Sequence, residues 1–327
     1  MNNASALKAE QEAYDAWEHI CLDAFDNPKK GVIALLTPWT AYFDAGANYP
    51  SPTRQNPPLL HTVGCVLARY EDWKKFRREW RKELDKKEVC FFHMKDFEYA
   101  LAAIRRDERH KISNKNPYKE LKEKEFVPLL KRMHRTIGRK RQDDTFRMVL
   151  FASSVVKADF DKTRPAELKR APECKSPYIF NVANVMKMIA HWCSSNLIYD
   201  EAIHYIFAGG ETKEAGNIAS WFDYCWNDEQ SKNYFRLNKG YTRLKFYDIQ
   251  DAVTEPALQA ADIVAYEFNK ASQEVTIRGG VDIPLDELRK SLPSLGRTPH
   301  LNVTLTEENL PKAFASITQF MKAKGHM

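Results

Sequence analysis

The chain has 327 residues, 43% of them hydrophobic and 12% aromatic, which is enough apolar material for one large domain or two small ones and excludes an intrinsically disordered chain. The formal net charge of +6 is mildly basic, so it permits a polyanionic partner without requiring one. No apolar run approaches the roughly 18 residues of a membrane helix, and the stretch Met1 to Asp15 is polar with Glu10, Glu12 and Asp15, so no signal or transit peptide and no membrane are expected, and the expected location is the cytoplasm.

Residues 5–25 carry Ala13, Trp17, Ile20, Cys21 and Phe25 at helical spacing, which predicts an N-terminal helical extension over 1–30, closed by Asn27-Pro28-Lys29-Lys30-Gly31. Val32–Leu36 and Ala41–Asp44 read as strands. A proline-rich loop follows, with Pro50, Pro52, Pro57 and Pro58, and Leu60–Arg69 reads as the next strand of a meander. Asp44 sits where strand gives way to Gly46, so a rigid element can hold its carboxylate toward a cleft; the plain alternative is a turn Asp beside a turn glycine.

Residues 71–87 place Trp73, Phe76, Trp80 and Leu84 on one helical face. The basic residues between Lys74 and Lys82 fall largely on the others, either facing nucleic acid or forming a solvated outer face. Val89–Phe92 reads as a short strand that empties into His93-Met94-Lys95-Asp96. There Asp96 is a candidate metal ligand or a helix N-cap, Lys95 a candidate phosphate holder, and His93 a ligand or proton shuttle. Residues 97–141 read as helical with a flexible break at Asn114-Lys115-Asn116-Pro117, and the cations from Lys131 to Arg141 form a second basic cluster.

Phe146–Val156 reads as a buried strand, Lys157 to Ser176 as a polar loop, and 178–196 as an apolar helix between layers. Ala202–Ala208 is a further strand. It ends at Gly209-Gly210-Glu211, which makes Glu211 either a third strand-end carboxylate or a first-turn acid favoured by the helix dipole. After a short strand over Arg243–Asp248 comes an alanine-rich helix from Pro256, polar only at Gln259, Asp262 and Glu267. A buried Asp inside such a run needs a cation, a donor or a cleft, so Asp262 is the clearest physical anomaly in the chain. Glu267, roughly 140° around the helix from it, points elsewhere. Residues 271–327 read as an appendage with a strand over Leu301–Leu305 and a last helix from Glu307, capped by Thr306. The cysteines are dispersed without a Cys-x-x-Cys pair and the histidines without a His-x-x-x-His pair, which suits reduced core thiols and no structural zinc.

Taken together, Tyr42-Phe43-Asp44-x-Gly, the strand Val63-Gly64-Cys65-Val66-Leu67-Ala68, Phe92-His93-Met94-Lys95-Asp96, His204-Tyr205-Ile206-Phe207 and Leu258-Gln259-Ala260-Ala261-Asp262 occur in an order that resembles the domain-of-unknown-function 3800 family, grouped with ribonuclease H-like folds. The resemblance spans roughly 38–270. It implies an α/β fold over 31–270 with a mixed five-stranded sheet flanked by helices, and carboxylates converging at one end of that sheet on Mg²⁺ or Mn²⁺. Asp44, Asp96 and Asp262 match the family's acids, His93 and Lys95 its His-x-Lys-Asp, and Glu211 is a candidate fourth acid. Two hard cations about 3.5–4 Å apart can activate a water and steady the leaving oxygen of a phosphodiester. The expected function is therefore a divalent-metal-dependent nuclease or phosphodiester hydrolase, with Lys74–Lys82 and Lys131–Arg141 guiding nucleic acid; an oligomer is compatible with the sequence. The chain departs from the family pattern where Ala45 runs directly into Gly46 without a Ser, and where Ala208 stands in place of a strand-end Asp. These departures motivate the alternative, a catalytically degenerate ribonuclease H-like binding or regulatory module. No Walker or Rossmann glycine motif points to a nucleotide enzyme instead.

Overall fold

A computed structural model of the chain describes residues 39–46, 59–196, 203–209, 212–235, 247–251, 253–277, 295 and 298–323. The helix expected over 5–25, the strand Val32–Leu36, the proline-rich loop and Glu211 lie outside the described residues.

Alternating and β-branched apolar runs form β1 (Trp39–Gly46), β2 (Leu60–Arg69), β3 (Met148–Val156), β4 (Ile203–Ala208), β5 (Tyr247–Gln250) and β6 (His300–Leu305). They make one mixed sheet in the order β5-β4-β1-β2-β3-β6. β2 alone runs against the other strands, antiparallel to β1 and β3, while β1/β4, β4/β5 and β3/β6 pair in parallel. The α/β architecture is thus as expected: five strands come from the central stretch, and the C-terminal segment adds β6 at an edge. Asp44 lies at the carboxyl end of β1, beside the carboxyl end of β4, where Phe43 is in register with Phe207.

Period-two alternation divides the sheet into two faces. Tyr42, Val66, Leu150 and Ile206 point to α1 (Tyr70–Asp85), α2 (Met94–Arg105), α3 (Glu123–Ile137) and α8 (Pro256–Ile277). Phe43, Cys65, Phe151 and Phe207 point to α5 (Pro177–Ser195) and α6 (Thr212–Asn227), with Phe235 just after α7 (Glu229–Tyr234). At the β6 edge, α4 (Lys157–Thr163) and α9 (Leu310–Ala323) close a smaller core around Phe160, Phe180 and Phe314.

The alanine-rich α8 lies unusually close to the sheet. A Cβ at Gly64 would stand 2.3 Å from the backbone nitrogen of Ala265, and one at Gly46 would stand 3.0 Å from the Ala265 carbonyl oxygen. Gly64 is directly across from Asp44 in the β1/β2 ladder. Two missing side chains therefore let the helix backbone sit on the sheet beside the strand-end acid.

Three local readings change. Val89–Phe92 is an irregular connection and not a strand: the Val89 N–H closes onto the Leu84 carbonyl at the end of α1, and the Phe92 N–H is taken by the Gln259 side chain of α8. The polar stretch after β3 is partly helical, with α4 followed by 3-10 turns at Ala166–Arg170 and Pro172–Cys174, seated by Phe160, Leu168 and Cys174. The last helix starts at Leu310 and not at Glu307, since the Thr306 N–H donates to Asn309 Oδ1 at 2.8 Å and closes a turn first. Among the described residues, no helix is long and apolar enough to cross a membrane.

Candidate site of histidine and carboxylates

The site forms where the chain leaves Phe92 and enters α2. Three successive amides there donate to side chains: Phe92 N–H to Gln259 Oε1 at 2.9 Å, His93 N–H to the Tyr118 hydroxyl at 2.8 Å, and Met94 N–H to Asp262 Oδ2 at 2.6 Å. Gln259 also accepts from the Trp80 indole at 2.8 Å, which ties α1 to the same point. One turn of α8 thus supplies both an amide and a carboxylate to the segment that carries His93. His93 is the residue before the first turn of α2, and Asp96 lies in that turn, not at the N-cap position. Their side chains meet, His93 Nδ1 to Asp96 Oδ2 at 2.9 Å, and both are about two-fifths exposed, at 40% and 39%. The Asn116 amide donates to the Asp96 carbonyl at 3.1 Å and its oxygen accepts the Tyr118 N–H at 2.9 Å.

Electrostatics join these groups to β1. The His93 imidazole is raised above its ordinary value, first by the hydrogen bond to Asp96, against the opposing effect of burial, and then by the charges of Asp262 and Asp44. Asp262 is 3% exposed. Its carboxyl is raised by burial, partly offset by His93 and the Met94 N–H and reinforced by the negative charge of Asp96. Asp44 is half-buried and accepts the N–H of its neighbour Ala45 at 2.7 Å. Asp44, His93, Asp96 and Asp262 therefore share one electrostatic neighbourhood at the carboxyl end of β1. Lys95 is exposed on the same turn of α2.

Carboxylate oxygens and an imidazole are the right kind of donors for a hard divalent cation. Among the described residues, no three His, Cys, Asp or Glu side chains are grouped as the ligand set of one ion. Glu211 lies outside the described residues. Glu267 has a separate role: it is fully buried, its Oε1 3.6 Å from Nε2 of the equally buried His134 of α3.

The two basic clusters differ. Of the cations from Lys131 to Arg141, Arg132 pairs with Glu83, Arg139 with Glu79, Arg141 with Asp72 and Lys140 with Asp144. That cluster serves largely to clamp the inner edge of α1. The outer face of α1 presents Lys74, Lys75, Arg78, Arg81 and Lys82 exposed and without an ion-pair partner among the described residues. α1 runs alongside β1 in the same direction: the Trp73 indole donates to the Thr40 carbonyl at 3.0 Å, and Arg77 donates to the Tyr42 hydroxyl. Trp80 then reaches the Gln259 that holds Phe92, so the exposed row advances toward the Asp44 end of the sheet.

Asn116, in the expected flexible break Asn114–Pro117, and Tyr118, just after it, carried no signal of a site. An Asn-Pro-Tyr after a helix has no periodic signature, and only the fold brings it back to His93. Gln259 stood out as a polar residue in an apolar helix, and that signal was sufficient to mark it. No protein-family model matches the chain, and no curated protein or solved structure matches it.

Proposed function

We propose that the chain is a divalent-metal-dependent phosphodiester hydrolase acting on nucleic acid, built on a ribonuclease H-like scaffold of the domain-of-unknown-function 3800 type. The observation that carries this reading is His93, hydrogen-bonded to Asp96 at 2.9 Å and within reach of the charges of Asp262 and Asp44, with Asp44 at the carboxyl end of β1, the position where open α/β sheets bind ligands. On this reading Asp44, Asp96 and Asp262 would hold Mg²⁺ or Mn²⁺, and since they are not grouped as one ion's ligand set, binding would have to draw them together. Mg²⁺ commonly keeps several waters and is held by one or two carboxylates plus the substrate phosphates. When bound, such a cation polarises a phosphoryl oxygen and acidifies a water. The protein's own part is proton transfer and positioning. Asp96 on Nδ1 orients the imidazole, leaving Nε2 to accept or return a proton, while Tyr118 and Gln259 fix the backbone that carries it. The outer row of α1 draws the phosphate backbone toward this end of the sheet.

The test is cleavage of single-stranded and duplex DNA and RNA with Mg²⁺ or Mn²⁺. Metal-dependent cleavage is expected, reduced about 100-fold or more in Asp262→Asn and in His93→Ala. Replacing Lys74, Arg78 and Lys82 by Gln is expected to flatten the dependence of log binding constant on log salt by roughly 2–3. Absence of cleavage with every substrate and both metals sinks the hydrolase reading.

A second reading rests on a specific contact. Asp262 accepting the Met94 N–H is all that an architectural acid at a helix N-terminus needs. With Ala208 at the end of β4, it supports a binding or regulatory module without turnover, in which Asp262→Asn leaves nucleic-acid binding unchanged.

A further inference from the structure

On the sheet face opposite Asp44, the elements α5, α6, α7 and α9 and the turn Pro172–Cys174 border a half-open cavity of about 460 Å³. Trp221, Phe235 and Ile317 supply its apolar wall. One acid and one base line it, Glu173 and Lys187. The Glu173 side chain is only 9% exposed, and its Oε2 lies 3.6 Å from Lys187 Nζ, too far for a hydrogen bond, while Lys187 is 38% exposed. Among the described residues, no group donates a hydrogen bond to the Glu173 carboxylate. The two groups form an ion pair without a hydrogen bond between them, which leaves the carboxylate able to accept from a ligand's donors.

Burial, and after it the Glu173 charge, push the neighbouring Cys174 thiol up to about 12. The same two causes raise the Cys225 thiol and the Tyr224 phenol. The charge of Asp228 reaches Tyr224 and Cys225 as well, but Asp228 does not itself line the cavity. Among the described residues, the cavity therefore offers one ion pair, Glu173 and Lys187, in an otherwise uncharged, largely apolar lining. A simple anion placed there meets Glu173, and a simple cation meets Lys187; only a ligand carrying both charges is complementary to both. Its volume falls within the roughly 300–1,000 Å³ of small-molecule sites.

We propose that this cavity binds an α-amino acid with an apolar side chain, its ammonium on Glu173, its carboxylate on Lys187 and its side chain against Trp221, Phe235 and Ile317. The inference does not depend on the hydrolase reading, since the cavity and the His93 site lie on opposite faces of the sheet.

The experiment is calorimetry and thermal-shift measurement on the full chain with L-leucine, L-methionine and L-phenylalanine. Phenethylamine, which lacks the carboxylate, and 3-phenylpropionate, which lacks the ammonium, serve as comparisons. Saturable binding of at least one amino acid is expected, with both truncated analogues at least tenfold weaker than phenylalanine or without measurable binding. Glu173→Gln and Lys187→Met are each expected to weaken binding about tenfold or more, with the circular-dichroism melt retained. Should Glu173→Gln fail to fold, the partly exposed Lys187→Met carries the comparison. No saturable binding by any of the three amino acids overturns the proposal, as does phenethylamine binding as tightly as phenylalanine. Phosphodiester cleavage, measured in parallel, is expected to survive both substitutions, so either reading can fail alone.

Discussion

The two halves of α8 lie at the same depth on the same sheet, yet their polar groups are treated differently. In the second half, Asn269 donates to Thr62 Oγ1 at 2.9 Å and accepts from Gln273 at 3.1 Å, while Ser272 reaches Ser154 and Thr304 at 2.9 Å each. These groups are neutral and mutually satisfied, and they fasten the helix to β2, β3 and β6. In the first half, Asp262 is nearly as buried, but its protein hydrogen bond is one backbone donor and its other neighbours are a partly exposed His93 and a further acid, Asp96. A satisfied neutral network stabilises, whereas a buried charge held by so little costs stability. The contrast separates the part of α8 that builds the fold from the part that builds the site.

The largest effect is expected at the seat shared by both halves. With Ala265 backbone atoms at 2.3 and 2.6 Å from a Cβ at position 64, Gly64→Val forces α8 off the sheet and should cost about 3 kcal/mol or more in urea unfolding. A loss below about 1 kcal/mol would falsify the close seating. Next, Asn269→Ala strands Thr62 and Gln273 partners and should cost about 1–3 kcal/mol, with the His93 titration left unchanged. Asp262→Asn should move the other way. It keeps an oxygen for the Met94 N–H and removes the buried charge, so stability near neutral pH should hold or rise by about 1 kcal/mol while hydrolysis is lost. If it destabilises as much as Asn269→Ala, the two halves do not differ and Asp262 is architectural.

The smallest effect is in pH dependence, measured with chelator present. Both His93 and Asp262 are raised in the folded state from reference values of 6.5 and 3.8. A folded value above the unfolded one means that the native state binds more protons, so each contribution is complete below its reference value and is lost as pH rises through the folded value. Stability should therefore decline from Asp262 above pH 3.8 and from His93 above pH 6.5. By NMR, the His93 titration should fall most in Asp96→Asn, which removes the largest cause, and less in Asp262→Asn and Asp44→Asn. A titration that ignores all three substitutions separates His93 from the acids.

Much of the fold was legible in the residues. The β-branched run read as Phe146–Val156 formed a strand over Met148–Val156, buried at every position, and the periodic Trp73, Phe76, Trp80 and Leu84 stripe formed the buried face of α1. Asp262 was legible for a different reason, since an acid in an alanine-rich helix breaks the local rule. Val89–Phe92 misled because an apolar run of that length has no period, and its first and last amides found the Leu84 carbonyl and the Gln259 side chain instead of a neighbouring strand. The basic run Lys131–Arg141 misled because charge alone does not reveal whether acids wait across a helix interface, as Asp72, Glu79 and Glu83 do.

By itself, then, the sequence determined the elements whose patterns are local, together with the identity of the acids and the histidine set at their ends. Only the tertiary structure decided which of them meet. Gly64 opposite Asp44 lets Ala265 descend, which delivers Asp262 to Met94, while Tyr118 and Asn116 return from a distant loop to His93. Such encounters depend on close approach between segments far apart in the chain, and nothing in a residue's own neighbourhood encodes them.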